Sequence, residues 1–179
     1  VCSSDLEANI TLITFDSENP HNVIFDGINI KNCSGLNHML YKAGGMTPLY
    51  DAIGRTINSV GSRLASIPES ERPSKVLFLI STDGEENSSR EFTQEMIKNL
   101  IEHQNTKYNW EFVFTAANID TQKYSSGIGI SGNMSASYNQ MNTQALYTDT
   151  FSMAATSYRA TGKVSLNSQN VVDNQTNLS

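Results

Sequence analysis

The chain has 179 residues, of which 38% are hydrophobic and 17% are charged, and its formal net charge is −6. This length suits one domain with a sizeable core, and the acidic balance argues against a nucleic-acid-binding surface. No apolar run approaches the roughly 20 residues needed to cross a bilayer, so no membrane partner is predicted.

The two ends of the chain differ from its middle. Residues 1–6 match the translated end of a common sequencing adaptor, so we interpret them as a non-native scar. Without them Cys33 is the single cysteine and no secretory signal is recognised, which together favour a cytoplasmic protein without disulfides. Residues 162–179 are rich in Asn, Gln and Ser, and we expect a loosely ordered tail there. The folded domain is therefore expected over residues 7–161.

The first predicted elements are β-strands. Residues 8–15 form an apolar run that predicts a strand, and residues 16–20 form a polar turn cluster. Residues 23–25 and 28–30 are two short β-rich runs on either side of Asp26 and Gly27, which is the pattern of a β-hairpin. A β-meander is therefore predicted before residue 31.

A helix is predicted next. Thr47 is a suitable N-cap, Pro48 suits the first helical position, and Asp51 lies in or near the positive first turn. The apolar residues that follow at spacings of four, four, three and four indicate an amphipathic helix that ends near residues 67–68: Leu49, Ile53, Ile57, Val60 and Leu64. Taken alone, Thr47 is best explained as a plain N-cap, and the alternative is a hydroxyl ligand beside Asp83.

The most informative stretch covers residues 76–86. Residues 76–81 are nearly all apolar, which predicts a strand covered on both faces, as in a parallel sheet. The strand leads into Asp83, Gly84, Glu85 and Glu86, and ligands of open α/β sheets bind at the carboxyl ends of strands. The alternative is that Asp83 and Gly84 only form a turn and that both glutamates are solvated charges.

The rest of the chain is predicted to alternate helices and a strand. Residues 88–91 have the pattern of a capping box that opens a helix running to about residue 104. Within it, Met96, Ile97, Leu100 and Ile101 are expected to face the core, and His103 to lie at the surface.

A further strand is predicted over residues 110–114, and a last helix over residues 143–158. Asn118 and Asp120 follow the strand, where they could border the same crevice, but helix capping is the interpretation that we favour. The Gly-rich residues 124–138 lack a phosphate-loop fingerprint.

Two motifs in this order resemble the von Willebrand factor type A domain. They are Gly-Gly-Met-Thr-Pro-Leu-Tyr-Asp-Ala-Ile over residues 44–53 and Thr-Asp-Gly-Glu-Glu-Asn over residues 82–87. The resemblance covers residues 8–159 and is greatest to the intracellular bacterial and phage branch. It implies a doubly wound, Rossmann-like α/β fold around a mostly parallel sheet.

The resemblance also implies a metal-ion-dependent adhesion site. In that family an Asp-x-Ser-x-Ser after the first strand, a Thr on a later loop and an Asp ending the fourth strand hold Mg²⁺ or Mn²⁺. By position, the metal ligands carried over to this chain are Thr47 and Asp83. The metal would keep a coordination position for an acidic side chain of a protein partner, so an interaction module is implied and an enzyme is not.

One part of the family pattern is absent, because the sequence contains no Asp-x-Ser-x-Ser. We therefore expect a truncated domain that lacks its first, central strand. Metal binding by this chain should then be weak or absent, and the gap between strands should favour aggregation.

Two alternative functions stay open. One is an interaction domain of the same fold that uses no metal. The other is a Mg²⁺-dependent phosphohydrolase of doubly wound fold, with Asp83, Glu85 and Glu86 as metal ligands. No Ser/His or Cys/His pair supports an enzyme, and the three histidines fall in unrelated positions.

Overall fold

A computed structural model of the protein describes residues 7–33, 45–117, 119–138 and 146–166, with backbone only for residues 146–148. Within these ranges the chain is a mixed α/β structure with a two-stranded antiparallel sheet, a three-stranded parallel sheet and four α-helices. The predicted α/β class is confirmed.

The antiparallel sheet pairs β1 (Asn9–Thr14) with β2 (Asn22–Asn29). The predicted polar turn joins them, because Asp16 Oδ1 accepts hydrogen bonds from the backbone N–H of Glu18 and Asn19, each at 2.8 Å. Such local carboxylate–backbone bonds are what make Asp a frequent turn residue.

The predicted hairpin at Asp26 and Gly27 is wrong. These residues lie inside β2, and the register passes from Leu12 opposite Phe25 to Ile10 opposite Ile28, so β2 holds one extra residue there. Gly27 takes a positive φ of 64°, and its N–H donates to Thr11 Oγ1 at 3.0 Å. The Asp-Gly pair therefore forms a β-bulge and not a hairpin turn. Glycine adopts the positive φ that either structure needs.

Helix α1 (Leu49–Ala65) confirms the predicted amphipathic helix. Leu49, Ile53 and Ile57 are each at most 3% exposed, and Val60 is buried too. These side chains share one core with the parallel sheet, and Phe15, just after β1, packs against that core. Arg63 near the end of α1 also forms an ion pair with Asp26 of β2 at 3.1 Å. Helix α1 therefore contacts both sheets.

The parallel sheet has the order β3 (Leu77–Thr82), β4 (Glu111–Ala117) and β5 (Ser135–Tyr138), and β5 was not predicted. Helices α2 (Gln94–Tyr108) and α3 (Thr121–Gly127) connect these strands, and α4 (Ser152–Thr161) follows them. The strand and helix predicted at residues 110–114 and 143–158 are present with shifted bounds.

Helices cover both faces of the parallel sheet. Phe112 and Phe114 of β4 pack in the core that contains α1 and Ile97 of α2. Val113, between those two aromatic residues, packs instead against Ala154 of α4. Alternation along a strand places neighbouring side chains on opposite faces, so the sheet is sandwiched between helices.

Strand β3 departs from its prediction. The strand is parallel to β4, as expected, but it is the edge strand of this sheet in the described residues. Only Ile80 and Thr82 are buried, and Leu79 is 37% exposed. The prediction that both faces are covered is therefore wrong, because no second neighbour strand lies beside β3 in the part of the chain that is described.

The α2 face and the C-terminal boundary of the folded region agree only in part with their predictions. Ile97 and Ile101 of α2 are buried and His103 is exposed, as predicted, but Met96 is 45% exposed. Gly162 ends α4 with a φ of 75°, and Val164 beyond it is buried at 7%. Packing therefore continues past the predicted boundary at residue 161, while residues 1–6 and 167–179 lie outside the described residues.

Candidate functional site

The candidate site forms where two segments meet at the carboxyl end of β3. Residues 45–51 lead into α1, and residues 83–92 connect β3 to α2. A reciprocal pair of bonds joins them, because Thr47 N–H donates to Asn87 Oδ1 at 2.8 Å and Asn87 N–H donates to the Thr47 carbonyl at 3.1 Å. This pairing fixes the backbone of Thr47 against the loop that follows Asp83.

The predicted N-cap at Thr47 is wrong. The N-cap position is Pro48, one residue before the first helical residue, and no side chain of the helix's own start caps it. The free N–H groups of α1 are satisfied from the other segment instead. Tyr50 N–H donates to Glu86 Oε2 at 3.0 Å, and Asp51 N–H donates to Ser89 Oγ at 3.1 Å. A helix start needs such partners, and they are distant in sequence here.

Glu86 is used entirely in holding this loop. Its Oε1 accepts from the backbone N–H of Ser88 and Ser89, at 2.9 and 2.7 Å. Its Oε2 accepts from Ser89 Oγ at 2.7 Å besides Tyr50 N–H. With four donors on two oxygens, this carboxylate is saturated and is not available as a metal ligand.

Asp51 completes the connection between the two segments. Its side chain is 4% exposed and accepts the backbone N–H groups of Arg90, Glu91 and Phe92 at 2.8–2.9 Å. Burial alone would raise the pKa of Asp51, but these three hydrogen bonds and the charge of Arg55 outweigh it, so the pKa lies below its ordinary value of 3.8.

The predicted capping box at residues 88–91 is therefore wrong. Helix α2 begins later, at Gln94, and its N-cap is Thr93, whose Oγ1 accepts from Met96 N–H at 3.3 Å. Glu91 forms an ion pair with Arg55 of α1 instead. The segment before α2 therefore binds the start of α1. We call this connection the clasp, and it consists of the hydrogen bonds between residues 47–51 and residues 86–92. It joins residues distant in sequence, which a local pattern does not reveal.

Thr47 and Asp83, the two predicted metal ligands, are brought to the same place. A Cβ atom built on Gly84 would lie 3.1 Å from Thr47 Oγ1, so the Thr47 hydroxyl touches the Asp83–Gly84 turn. Asp83 is exposed. Within the described residues, neither Thr47 Oγ1 nor the Asp83 carboxylate has a hydrogen bond or an ion pair. A hydroxyl without a bonded partner therefore lies next to Gly84, one residue after an exposed carboxylate that is also without one in the described residues.

Two tyrosines interact with the glutamates that follow the Asp83–Gly84 turn. Burial, then the charge of Glu85 and a hydrogen bond to it, raise the pKa of Tyr124 on α3. Burial and the charge of Glu86 raise the pKa of Tyr50 on α1, with a smaller contribution from Tyr124. Glu85 is exposed, lies next to the turn and interacts with the hydroxyl group of Tyr124.

The other predicted candidates do not join the site. Asp120 caps α3 by accepting from Lys123 N–H at 3.0 Å, as we favoured, while Asn118 lies outside the described residues. Across the residues that are described, no three His, Cys, Asp or Glu side chains assemble as a metal-ligating group. The arrangement can offer one hydroxyl and one carboxylate oxygen to a ligand.

Sequence reasoning missed the clasp formed by Glu86, Asn87, Ser89 and Asp51. The residue types carried a weak signal, because Asn and Asp commonly bind backbone groups in loops. Nothing in the local sequence indicated how distant the partners are. Asp51, for example, is 39–41 residues from its three donors.

Comparison with known proteins gives no further assignment. No protein-family model matches the chain, and no curated protein and no solved structure is significantly similar to it. Among the residues described, no helix has both the length and the apolar character required to cross a membrane.

Proposed function

We propose that this protein is an interaction module of the von Willebrand factor type A class, with a partial metal-ion-dependent adhesion site. The two sequence motifs are the basis for the class. Helices on both faces of a parallel sheet support a doubly wound fold. Separate two-stranded and three-stranded sheets are what such a domain would present without its central strand.

The observation that carries the proposal is the contact of the Thr47 hydroxyl with the Asp83–Gly84 turn. Hydroxyl and carboxylate oxygens suit Mg²⁺ and Mn²⁺, which bind oxygen ligands and keep several waters. Thr47 and Asp83 would hold the ion, and the ion would supply a Lewis-acidic position for an acidic side chain of a protein partner. Because the sequence contains no Asp-x-Ser-x-Ser, only two protein ligands would hold the ion, and we expect weak binding.

A phosphohydrolase that uses Asp83, Glu85 and Glu86 together is less well supported. Such a site needs the Glu86 carboxylate, and all its accepting capacity goes to the loop and the start of α1. We therefore keep the binding function and propose no reaction.

Calorimetric titration with Mg²⁺ and with Mn²⁺ tests the proposal. We expect weak binding to the unmodified protein and its loss in Asp83→Ala and in Thr47→Val. Paramagnetic Mn²⁺ broadens NMR signals of nearby amides, so the resonances of residues 47 and 84 should disappear first.

Glu71→Ala is the matched control. Glu71 is an exposed carboxylate in the turn before β3, at the end of the strand opposite Asp83, and its loss should leave the titration unchanged. Equal binding by the unmodified protein and Asp83→Ala would overturn the assignment. No binding to the unmodified protein would favour the metal-free interaction domain.

A further inference from the structure

The chain contains two Asp-Gly pairs, Asp26-Gly27 and Asp83-Gly84. In such a pair the glycine amide nitrogen can attack the aspartate side-chain carbon, because glycine has no Cβ to obstruct the approach. The reaction requires a free carboxyl group and a backbone that can rotate. The two pairs differ in the partners of their carboxylates and in the bonds of their backbones.

Asp83-Gly84 comes closer to both requirements. Asp83 is exposed, and in the described part of the chain its carboxylate has neither a hydrogen bond nor an ion pair. Among the described residues Gly84 is bonded only to Thr82, two residues away and on the same chain segment. Its N–H donates to Thr82 Oγ1 at 3.3 Å, longer than a usual N–H···O bond of about 2.7–3.2 Å, and its carbonyl accepts from Thr82 Oγ1 at 2.9 Å. The pair also lies beyond the end of β3, outside the ladder to β4.

Asp26-Gly27 meets neither requirement. Its carboxylate is held by Arg63 at 3.1 Å, and the Gly27 N–H donates to Thr11 Oγ1 at 3.0 Å. The pair lies inside β2, and the ladder to β1 continues on both sides of it. A Cβ on Gly27 would lie 2.0 Å from the Arg63 guanidinium, so the side chain that pairs with Asp26 also lies directly against the Gly27 backbone.

We propose that Asp83-Gly84 is a site of spontaneous isoaspartate formation in the folded protein and that Asp26-Gly27 is protected. The Gly84 nitrogen forms a bond to Asp83 Cγ, the side-chain hydroxyl leaves as water, and the amide proton is released to solvent, which closes a succinimide ring. Water then opens the ring. Cleavage of the bond between nitrogen and the main-chain carbonyl carbon gives isoaspartate, whereas cleavage at Cγ restores aspartate. One water leaves and one enters, so no co-reactant is needed.

The product changes the candidate site whether or not a metal binds there. Isoaspartate routes the main chain through the former side-chain carbon, lengthens it by one atom and leaves a shorter carboxylate arm. The contact between the Thr47 hydroxyl and the turn depends on the present backbone, so ageing at residue 83 would separate the paired groups. The inference does not depend on the proposed function.

The test is an incubation of the full chain at neutral pH with EDTA, below its unfolding temperature. Isoaspartate is located by peptide mapping with electron-based fragmentation and quantified with an isoaspartyl-specific methyltransferase. We expect it to accumulate at residue 83 and not at residue 26. Asp83→Glu should abolish the signal and Asp26→Glu should leave it unchanged, since a glutamate would have to close a larger ring.

A parallel incubation in denaturant isolates the effect of the fold. Once the chain is unfolded, both pairs should react at similar rates, which would assign the difference in the native protein to its structure. Similar rates at both positions in the native protein, or a native rate at residue 83 far below its unfolded rate, would overturn the proposal.

Discussion

At the scale of single residues, Asp51 has the most demanding role. It is buried at the first turn of α1, yet its carboxylate serves the segment that precedes α2 by accepting three backbone N–H groups. Those donors have no other partner in secondary structure, because α2 begins only at Gln94. The Asp51 carboxylate therefore orders residues 90–92, which form the end of the β3–α2 loop that lies away from Asp83.

Asp51→Asn should lower the free energy of unfolding by about 1.5–3 kcal/mol at neutral pH, because a neutral amide oxygen replaces charge-assisted bonds. The pKa of Asp51 is lowered in the folded state, so its stabilisation is present above the ordinary value of 3.8 and is lost as pH falls through the folded pKa. Denaturant unfolding should therefore show the gap between the two proteins closing only below that value.

Glu71→Gln is the matched control for this measurement. It makes the same acid-to-amide change at an exposed carboxylate that has no bonded partner among the described residues. It should change stability little. A comparable loss in both variants would contradict the role assigned to Asp51.

At the scale of elements, α1 contains two glycines in opposite surroundings. A Cβ on Gly54 would lie 2.5 Å from the ring of Phe92, whereas nothing lies within 4 Å of a Cβ on Gly61. The backbone N–H of Phe92 itself donates to Asp51 Oδ1 at 2.9 Å, so this bond helps to hold the ring over Gly54. The missing side chain at Gly54 is thus a condition for docking residues 90–92 on the helix.

The same substitution at the two positions should have opposite effects. Gly54→Ala should destabilise by about 1–3 kcal/mol through overpacking against Phe92. Gly61→Ala should stabilise by about 0.5–1 kcal/mol, since alanine is the better helix former and meets no obstacle. Thermal unfolding of both variants decides the matter, and a stabilised Gly54→Ala would mean that Phe92 does not pack as described.

How much the sequence could predict depended on how local each determinant is. The buried face of α1 was predictable because its apolar spacing repeats along one helix. The capping of that helix was not, because Glu86 and Ser89 are 36 and 38 residues away from their partners. Asp26-Gly27 suggested a turn, since the same glycine conformation serves a turn or a bulge and only pairing with β1 decides between them.

The candidate site divides in the same way. The position of Asp83 followed from a strand that ends in an acidic turn, and the structure has the Thr47 hydroxyl next to Gly84, the residue after it. The different roles of neighbouring Glu85 and Glu86 could not be read from the sequence, because they depend on which one faces the start of α1 and which one faces Tyr124.

At the scale of the whole molecule, the antiparallel sheet meets the core of α1 and the parallel sheet through Phe15, just after β1, and meets α1 through the Asp26–Arg63 ion pair. The two sheets are not hydrogen-bonded to each other in the described residues. Strand β3 pairs with β4 on one side, and its apolar side chains Leu77, Phe78 and Leu79 are only partly covered. An edge of this kind has unpaired backbone groups beside apolar surface, which is a common starting point for association between chains.

Leu79→Lys should therefore slow concentration-dependent self-association, because a charge on an edge strand opposes pairing with another chain. Met153→Lys is the control, since Met153 on α4 is 39% exposed and Leu79 is 37% exposed, so the two variants add the same charge at similarly exposed apolar positions. Light scattering and sedimentation velocity over a concentration series give the comparison. Self-association that falls only in Leu79→Lys, with unfolding free energy retained, locates the contact at β3. Equal reduction by both variants would reflect net charge alone and would contradict a role for this edge.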